Sequence, residues 1–352
     1  MAVGNLAGAI PAGKLARRFG LRPVLLSCFL LASVVFSARA ILLSVEWQIP
    51  LAFLAGITLS AWAICLAPAV AQLTDERQRP FAFSLVFSLG IGVGALGGLA
   101  GSRLPGWFAS HHVLFRSMQP DQFVLLFSCA IVALGLWPVA KLTFKHARLP
   151  VRSKLFLSPA LLRFLPAVAI WGLVTGSFSP FATVYFAQHL HMSLPQIGNA
   201  FSSAQIAQVA AVLVAPVLLK RLGLVGGIVS TQLAAALLLL VLAGIGHPIA
   251  AAAAYIGFTA FQWMNEPGLY SLLMTTVPPD ERSGASAYNS LVMSASQAIA
   301  ATLAGGAFLR YGYPTALRGI AIIALIAAAL FWNLRASPEL ESTRELDTQT
   351  TV

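Results

Sequence analysis

The sequence predicts an all-α, polytopic membrane protein, and three observations predict it. Hydrophobic residues make up 58% of the 352 residues and charged residues only 9%, where a soluble globular chain averages about 25% charged. Residues 164–219 and 222–265 contain no Asp, Glu, Lys or Arg at all. The basic residues that do occur gather in alternate connections, as a membrane topology requires. The net charge of +11 therefore reports orientation, and no nucleic-acid partner is expected.

Taken in order, Met1 to Leu15 is apolar but shorter than the ~20 residues of a full crossing. It runs into the basic stretch Lys14, Arg17, Arg18, Arg22. Because that stretch follows the apolar run, no signal peptide is expected. Spans are expected over residues 23–43 and 49–73, with a polar break over 44–48. The next span, 81–101, carries Gly90, Gly94 and Gly98 at the spacing that lets helices approach closely in lipid. A polar loop over 102–121 leads to a span over 122–140. The basic, proline-containing stretch 141–163 is expected to be a cytoplasmic linker between an N-terminal half, 1–140, and a C-terminal half, 164–334. Within the second half, residues 188–196 and 244–248 are expected breaks, and Lys220-Arg221 closes another span. The tail 335–352, with four acids, is expected to be disordered and cytoplasmic.

The pattern amounts to eleven segments, the first truncated. Counting Lys and Arg by side places seventeen on the side of Lys14 and four on the other, with Arg39 left inside a helix. The expected location is the cytoplasmic membrane of a bacterium, with the chain a monomer in the lipid bilayer. Cys28, Cys65 and Cys129 each lie in an apolar run and are read as small buried hydrophobes. His111, His112, His146, His189, His191 and His247 fall in loops or helix ends, and none is read as a metal ligand.

The two halves echo each other. Pro11 matches Pro216, Arg18-Phe19-Gly20-Leu21 matches Arg221-Leu222-Gly223-Leu224, Asp75-Glu76-Arg77 matches Asp280-Glu281-Arg282, and Arg103 matches Arg310, at offsets of 205, 203, 205 and 207. A nearly constant offset points to a duplicated six-helix half. Residues 13–22, Gly-Lys-Leu-Ala-Arg-Arg-Phe-Gly-Leu-Arg, resemble the loop between helices two and three of the major facilitator superfamily of secondary transporters. The resemblance covers residues 1–335 and implies two six-helix halves with a solute site near the bilayer midplane. It also places Arg17, Arg18, Asp75, Arg77, Asp280 and Arg282 at the cytoplasmic gate. Arg17 stands where the family carries an Asp that latches this gate, so the same latch is not expected. Residues 90–98 resemble the glycine motif of the family's drug exporters only loosely, without its proline, and the span 49–73 lacks their Arg. The second half has a full span before the helix that matches residues 1–15. The first half has none, so a further helix before Met1 is expected, lost through a misassigned start or a gene fragment.

Glu266 is the one acid well inside an apolar segment, and a carboxylate at membrane depth is costly enough to suggest function. Tyr255, Thr259, Gln262 and Glu266 are spaced four, three and four, on one helical face, with Asn265 beside them and Pro267 after. An acid there can load and release a proton as access alternates, so Glu266 is the expected proton-coupling residue. Gln205, Gln208, Asn289, Gln297, Trp171 and Thr175 complete a neutral, hydrogen-bonding set expected to touch solute. Thr58 and Trp62 share a further face. Arg39 is either an interfacial anchor or a charge site for solute or gating.

No metal-hydrolase, phosphate-loop or nucleophile motif is present, and neither enzyme activity nor a cofactor is expected. Two readings follow. The first is a proton-coupled secondary transporter of a sugar, nucleoside or amphiphilic organic compound, working by alternating access. The second is a non-transporting, transporter-like membrane protein: a sensor, scaffold or truncated product.

Overall fold

A backbone in hydrocarbon has no water to bond, so it must close its own hydrogen bonds. The computed structural model describes residues 1–110, 119–144, 159–279 and 281–334, and among these it holds helices and no strand. The helices are α1 (Ala2–Phe19), α2 (Leu21–Ile41), α3 (Val45–Leu73), α4 (Arg79–Ser110), α5 (Pro120–Leu134), α6 (Leu136–Lys141), α7 (Pro159–Phe178), α8 (Ala182–Val184), α9 (Leu194–Gly244), α10 (Pro248–Met264), α11 (Glu266–Thr276) and α12 (Arg282–Asn333). A 3₁₀ turn precedes α8 and a π turn, Tyr185–His189, follows it. The expected tail, Asp280 and most of the expected linker lie outside the described residues.

Most boundaries fall where glycine, proline and polar residues predict. α9 ends at Gly244 and α10 begins at Pro248, where Pro costs no hydrogen bond at the first helical position. α9 starts after Ser193, whose N–H donates to Gln196 Oε1 at 2.9 Å. Two expectations need correction. The loop expected from Ser102 is still helix as far as Ser110, running across Pro105-Gly106. The break expected over 44–48 is narrower, since α3 already begins at Val45 and its first turn carries Glu46.

α9 and α12 are each two helices joined at one glycine. Gly223 sits at φ 75°, ψ 167° and Gly312 at φ 77°, ψ 164°. Gly20, between α1 and α2, adopts φ 88°, ψ 168°. Only glycine enters this region without strain. Gly20 and Gly223 are partners in the sequence repeat, so the two halves reverse direction by the same backbone device. Gly312 follows Arg310-Tyr311 just as Gly20 follows Arg18-Phe19.

Two compact units result. One gathers Met1–Leu73, Val93–Phe156 and Pro279–Leu291; the other gathers Thr74–Gly92, Leu157–Pro278 and Val292–Val352. Ala287 packs with Ala9, Ala12 and Ile64 in the first unit. In the second, Phe83 and Phe87 of α4 pack on Tyr270 of α11, with ring centroids 5.7 and 5.4 Å apart.

Within the first unit α1 crosses α3 through glycine. A β-carbon on Gly4 would strike the Phe53 backbone, one on Gly8 the Ser60 side chain, and one on Gly56 the backbone of Met1. Lipid gives helices no hydrophobic reason to associate, so such close backbone packing supplies the attraction. In the second unit α7 meets the first half of α12 in the same way, at Gly172 and Gly176. The close approach expected at Gly90 and Gly94 is absent: nothing among the described residues stands within 4 Å of a β-carbon there. The spacing permits a close contact without naming a partner.

A β-carbon at Gly176 would lie 2.5 Å from Gln297 Cα, so Gly176→Ala is expected to destabilise by about 1–3 kcal/mol through overpacking. Gly244→Ala, where nothing lies within 4 Å, is expected to stay within about 0.5 kcal/mol of wild type. Unfolding of the two variants in mixed micelles checks the contrast. At Gly223 a β-carbon has open space around it, yet the left-handed φ alone predicts a loss of about 1–3 kcal/mol for Gly223→Ala in the same assay.

Candidate functional site

The helix that carries Glu266 breaks its ladder at one place. Pro267 has no N–H, so the Trp263 carbonyl loses its usual donor. The backbone stays helical through Asn265, at φ −70° and ψ −31°. The Asn265 N–H reaches the Phe261 carbonyl at 3.2 Å, and Leu269 N–H reaches the Asn265 carbonyl at 3.1 Å. The polar side chains therefore sit at a loosened turn inside an apolar run.

Asn265 is 1% exposed. Its Oδ1 accepts a hydrogen bond from Thr231 Oγ1 of α9 at 3.1 Å, while its Nδ2 has no partner among the described residues. Gln232, next to Thr231 and fully buried, has neither Nε2 nor Oε1 bonded, and Gln262 Oε1 is also unbonded. Buried polar atoms left so are costly and mark places where a ligand or water can bind. Glu266 is only partly buried, unlike Asn265, Pro267 and Gly268 around it. Among the described residues no Lys or Arg forms an ion pair with it. Tyr270 lies one turn further along the same helical face and packs on Phe83 and Phe87.

The expected stripe therefore divides. Gln262 and Glu266 keep exposed surface, whereas Thr259 is buried and bonds its own helix at Ile256 O, 3.1 Å. Tyr255, 4% exposed, is held among Phe178, Phe186 and Phe201 at centroid distances of 6.0, 5.2 and 5.4 Å. Helical spacing put Tyr255 and Thr259 on the Glu266 face, and the aromatic cluster closes over that end of it. Both residues are buried at this end of the face.

The structure joins two other candidates. Gln297 Nε2 donates to Thr175 Oγ1 at 3.1 Å, at the Gly176 crossing. Trp171 is fully buried with its indole N–H unpartnered. Gln208 is half-buried and Gln205 exposed, both on the first part of α9. Asn289 is buried in the first unit. Thr231 and Gln232 escaped the sequence reading. Their signal was the polar run Ser230-Thr231-Gln232, alone in an apolar span from 222 to 242.

At the expected gate, Arg17 reaches the first turn of α12, its Nη1 4.0 Å from where a β-carbon on Gly284 would stand. Gly13 meets the same end of α12, with a β-carbon there 2.7 Å from Ala287 Cβ and 3.3 Å from the Ser283 carbonyl oxygen. Arg18 and Arg77 are exposed, and Arg282 opens α12. Asp75 caps the next helix with its carbonyl, accepting from Gln78 and Arg79 N–H at 3.1 and 3.0 Å. Arg79 is buried and pairs with Glu76 at 3.6 Å. Arg39 Nε donates to Gln48 Oε1 at 3.2 Å, and Gln48 Nε2 returns a bond to the Arg39 carbonyl at 2.8 Å. This ties Arg39 to the turn between α2 and α3. Thr58 bonds its own helix at Ala55 O, 2.8 Å, and Trp62 stands edge-on to Phe29 at 5.4 Å. All three cysteines are buried and unpaired.

The structure resembles solved transporters over nearly its whole length. It aligns with the human organic anion transporter MFSD10 (TETRAN) at TM-score 0.79 and 14% identity, covering 94% of this chain and 81% of that one. It aligns with the Escherichia coli fucose:proton symporter FucP at TM-score 0.75 and 15% identity, covering 95% and 88%. The proton:xylose symporter XylE, solved with 6-bromo-6-deoxy-D-glucose, aligns at TM-score 0.71 and 12% identity, covering 94% and 84%. No protein of curated function matches the chain by sequence. The model of the Major Facilitator Superfamily matches residues 1–261 and 164–351. With helices long and apolar enough to cross a bilayer and this fold, the chain is an integral membrane protein that belongs to the Major Facilitator Superfamily.

Proposed function

We propose that the chain is a proton-coupled secondary transporter of a small neutral organic solute, a sugar or nucleoside before an amphiphilic compound, acting by alternating access. One observation carries the reading. Glu266 is a partly exposed carboxyl at membrane depth, with no basic partner among the described residues, placed at a proline-loosened turn. A carboxylate with an Arg or Lys beside it would stay ionised; one without is free to exchange a proton.

The unbonded amides of Gln232, Gln262 and Asn265 supply donors and acceptors for hydroxyl groups. The one basic side chain fully buried among the described residues, Arg79, stands at the start of α4 and already has Glu76. A multiply charged anion therefore finds no cluster of buried cations. The names of FucP and XylE, a fucose:proton and a proton:xylose symporter, support sugar and proton, while the organic anion named for MFSD10 supports the wider class. Gating is proposed at Arg17, Arg18, Asp75, Arg77, Asp280 and Arg282. The second reading, a non-transporting relative, rests on Arg17, whose charge inverts the family's latch.

Proteoliposomes with L-fucose, D-xylose and uridine as probes separate the readings. Wild type is expected to accumulate at least one probe when a proton gradient is imposed. Glu266→Gln is expected to lose gradient-driven accumulation at least tenfold while keeping counterflow of that probe. Accumulation unchanged in Glu266→Gln defeats the assignment of the proton site, and binding of a probe without any flux in wild type favours the non-transporting reading. Asn265→Ala and Thr231→Val, combined in a double-mutant cycle on probe-free stability, are expected to show a coupling of about 0.6 kcal/mol, the usual worth of a hydrogen bond between membrane helices.

A further inference from the structure

A groove of about 330 Å³ runs between α1 and α2 over a floor from α3. Leu15 and Phe19 form one wall, Pro23 and Leu31 the other, and Ile57 and Ala61 part of the floor. Since Gly8 and Leu31 line the same space, α1 and α2 lie side by side as a hairpin about Gly20. The groove extends from Phe19 beside that turn to Gly8, eleven residues or about 16 Å along the helix. That is close to one leaflet of a ~30 Å hydrocarbon core.

The groove offers mainly hydrocarbon. Its polar side chains are all spent inside the protein: Ser27 Oγ donates to Pro23 O at 2.8 Å, Cys28 Sγ to Thr58 O at 3.0 Å, and Thr58 Oγ1 to Ala55 O at 2.8 Å. Leu15, Phe19 and Leu31 stand about half exposed along its rim. Basic residues flank its lining in the sequence. Lys14, Arg18 and Arg22, each adjacent in sequence to a groove residue, are exposed. The Arg18 guanidinium lies 5.3 Å from the Phe19 ring centroid, and Arg22 reaches the Ala140 carbonyl. Residues 1–45 contain no acid to offset these charges. The side with the excess of Lys and Arg faces the cytoplasm, where the leaflet is anionic.

We propose that this groove binds an anionic phospholipid of the cytoplasmic leaflet, with one acyl chain along the groove and the phosphate held by Lys14, Arg18 and Arg22. The site is separate from Glu266 and does not depend on whether the chain moves a solute. It shares α1 with the Gly13 approach to Ala287, so a bound lipid braces the helix that makes that contact.

The full chain, purified from nanodiscs of mixed phosphatidylglycerol and phosphatidylcholine of matched acyl chains, is examined by native mass spectrometry. Wild type is expected to retain phosphatidylglycerol over phosphatidylcholine by tenfold or more, as several basic contacts near a headgroup imply. Replacing Lys14, Arg18 and Arg22 together with Gln is expected to remove that preference while an adduct of either lipid survives. Ala61→Phe, which fills the floor, is expected to lose the adduct altogether; Leu31→Trp, at an exposed wall, gives the same readout if Ala61→Phe does not fold. Equal retention of the two lipids by wild type overturns the proposal. So does a wild-type phosphatidylglycerol adduct in folded Ala61→Phe or Leu31→Trp, or a co-purified polypeptide in place of lipid.

Discussion

The need of a membrane backbone to bond to itself governs everything else in this molecule. It leaves helix as the form of every crossing, and it restricts where the helix can stop. Reversals of direction occur at Gly20, Gly223 and Gly312, all in a conformation reserved for glycine. Side-chain hydroxyls follow the same rule: Ser27, Ser33, Thr58 and Thr275 each donate to a carbonyl three or four residues back on their own helix. What remains unbonded is thereby conspicuous.

Several of these groups lie at or beside one turn. Pro267 frees a carbonyl, Asn265 leaves its amide nitrogen unused, and Gln232 is buried with its amide wholly unused. Glu266 stands in this company with some exposed surface. A structural acid in lipid is usually paired or bonded across helices. The arrangement here has the opposite character, with polar capacity held in reserve, which suits a site that binds and releases.

Helix association in this chain depends on shape rather than on hydrophobicity. The crossings of α1 with α3 and of α7 with α12 rest on glycines whose β-carbons would collide with the neighbouring helix. The aromatic cluster around Phe178, Tyr185 and Tyr255 fills the second unit where glycine does not. The groove between α1 and α2 is the complement of these tight crossings: a gap of leaflet depth whose polar side chains are already bonded within the protein.

Helix and duplication were legible in the sequence because each depends on composition along the chain. Apolar length makes a crossing, and Gly20 and Gly223 share a conformation because they share a motif. Glu266 was legible for the same reason, as a charge out of place. The fate of its helical neighbours was not. Periodicity put Tyr255 and Thr259 on the same face, but a face has no fixed depth until other helices cover it, and Phe178, Phe186 and Phe201 cover those two. Thr231 and Gln232 became part of the Asn265 neighbourhood only when α9 was laid beside the α10–α11 junction. Gly90 and Gly94 show the limit most plainly, since small residues permit a close approach while only the packed structure decides which helix makes it.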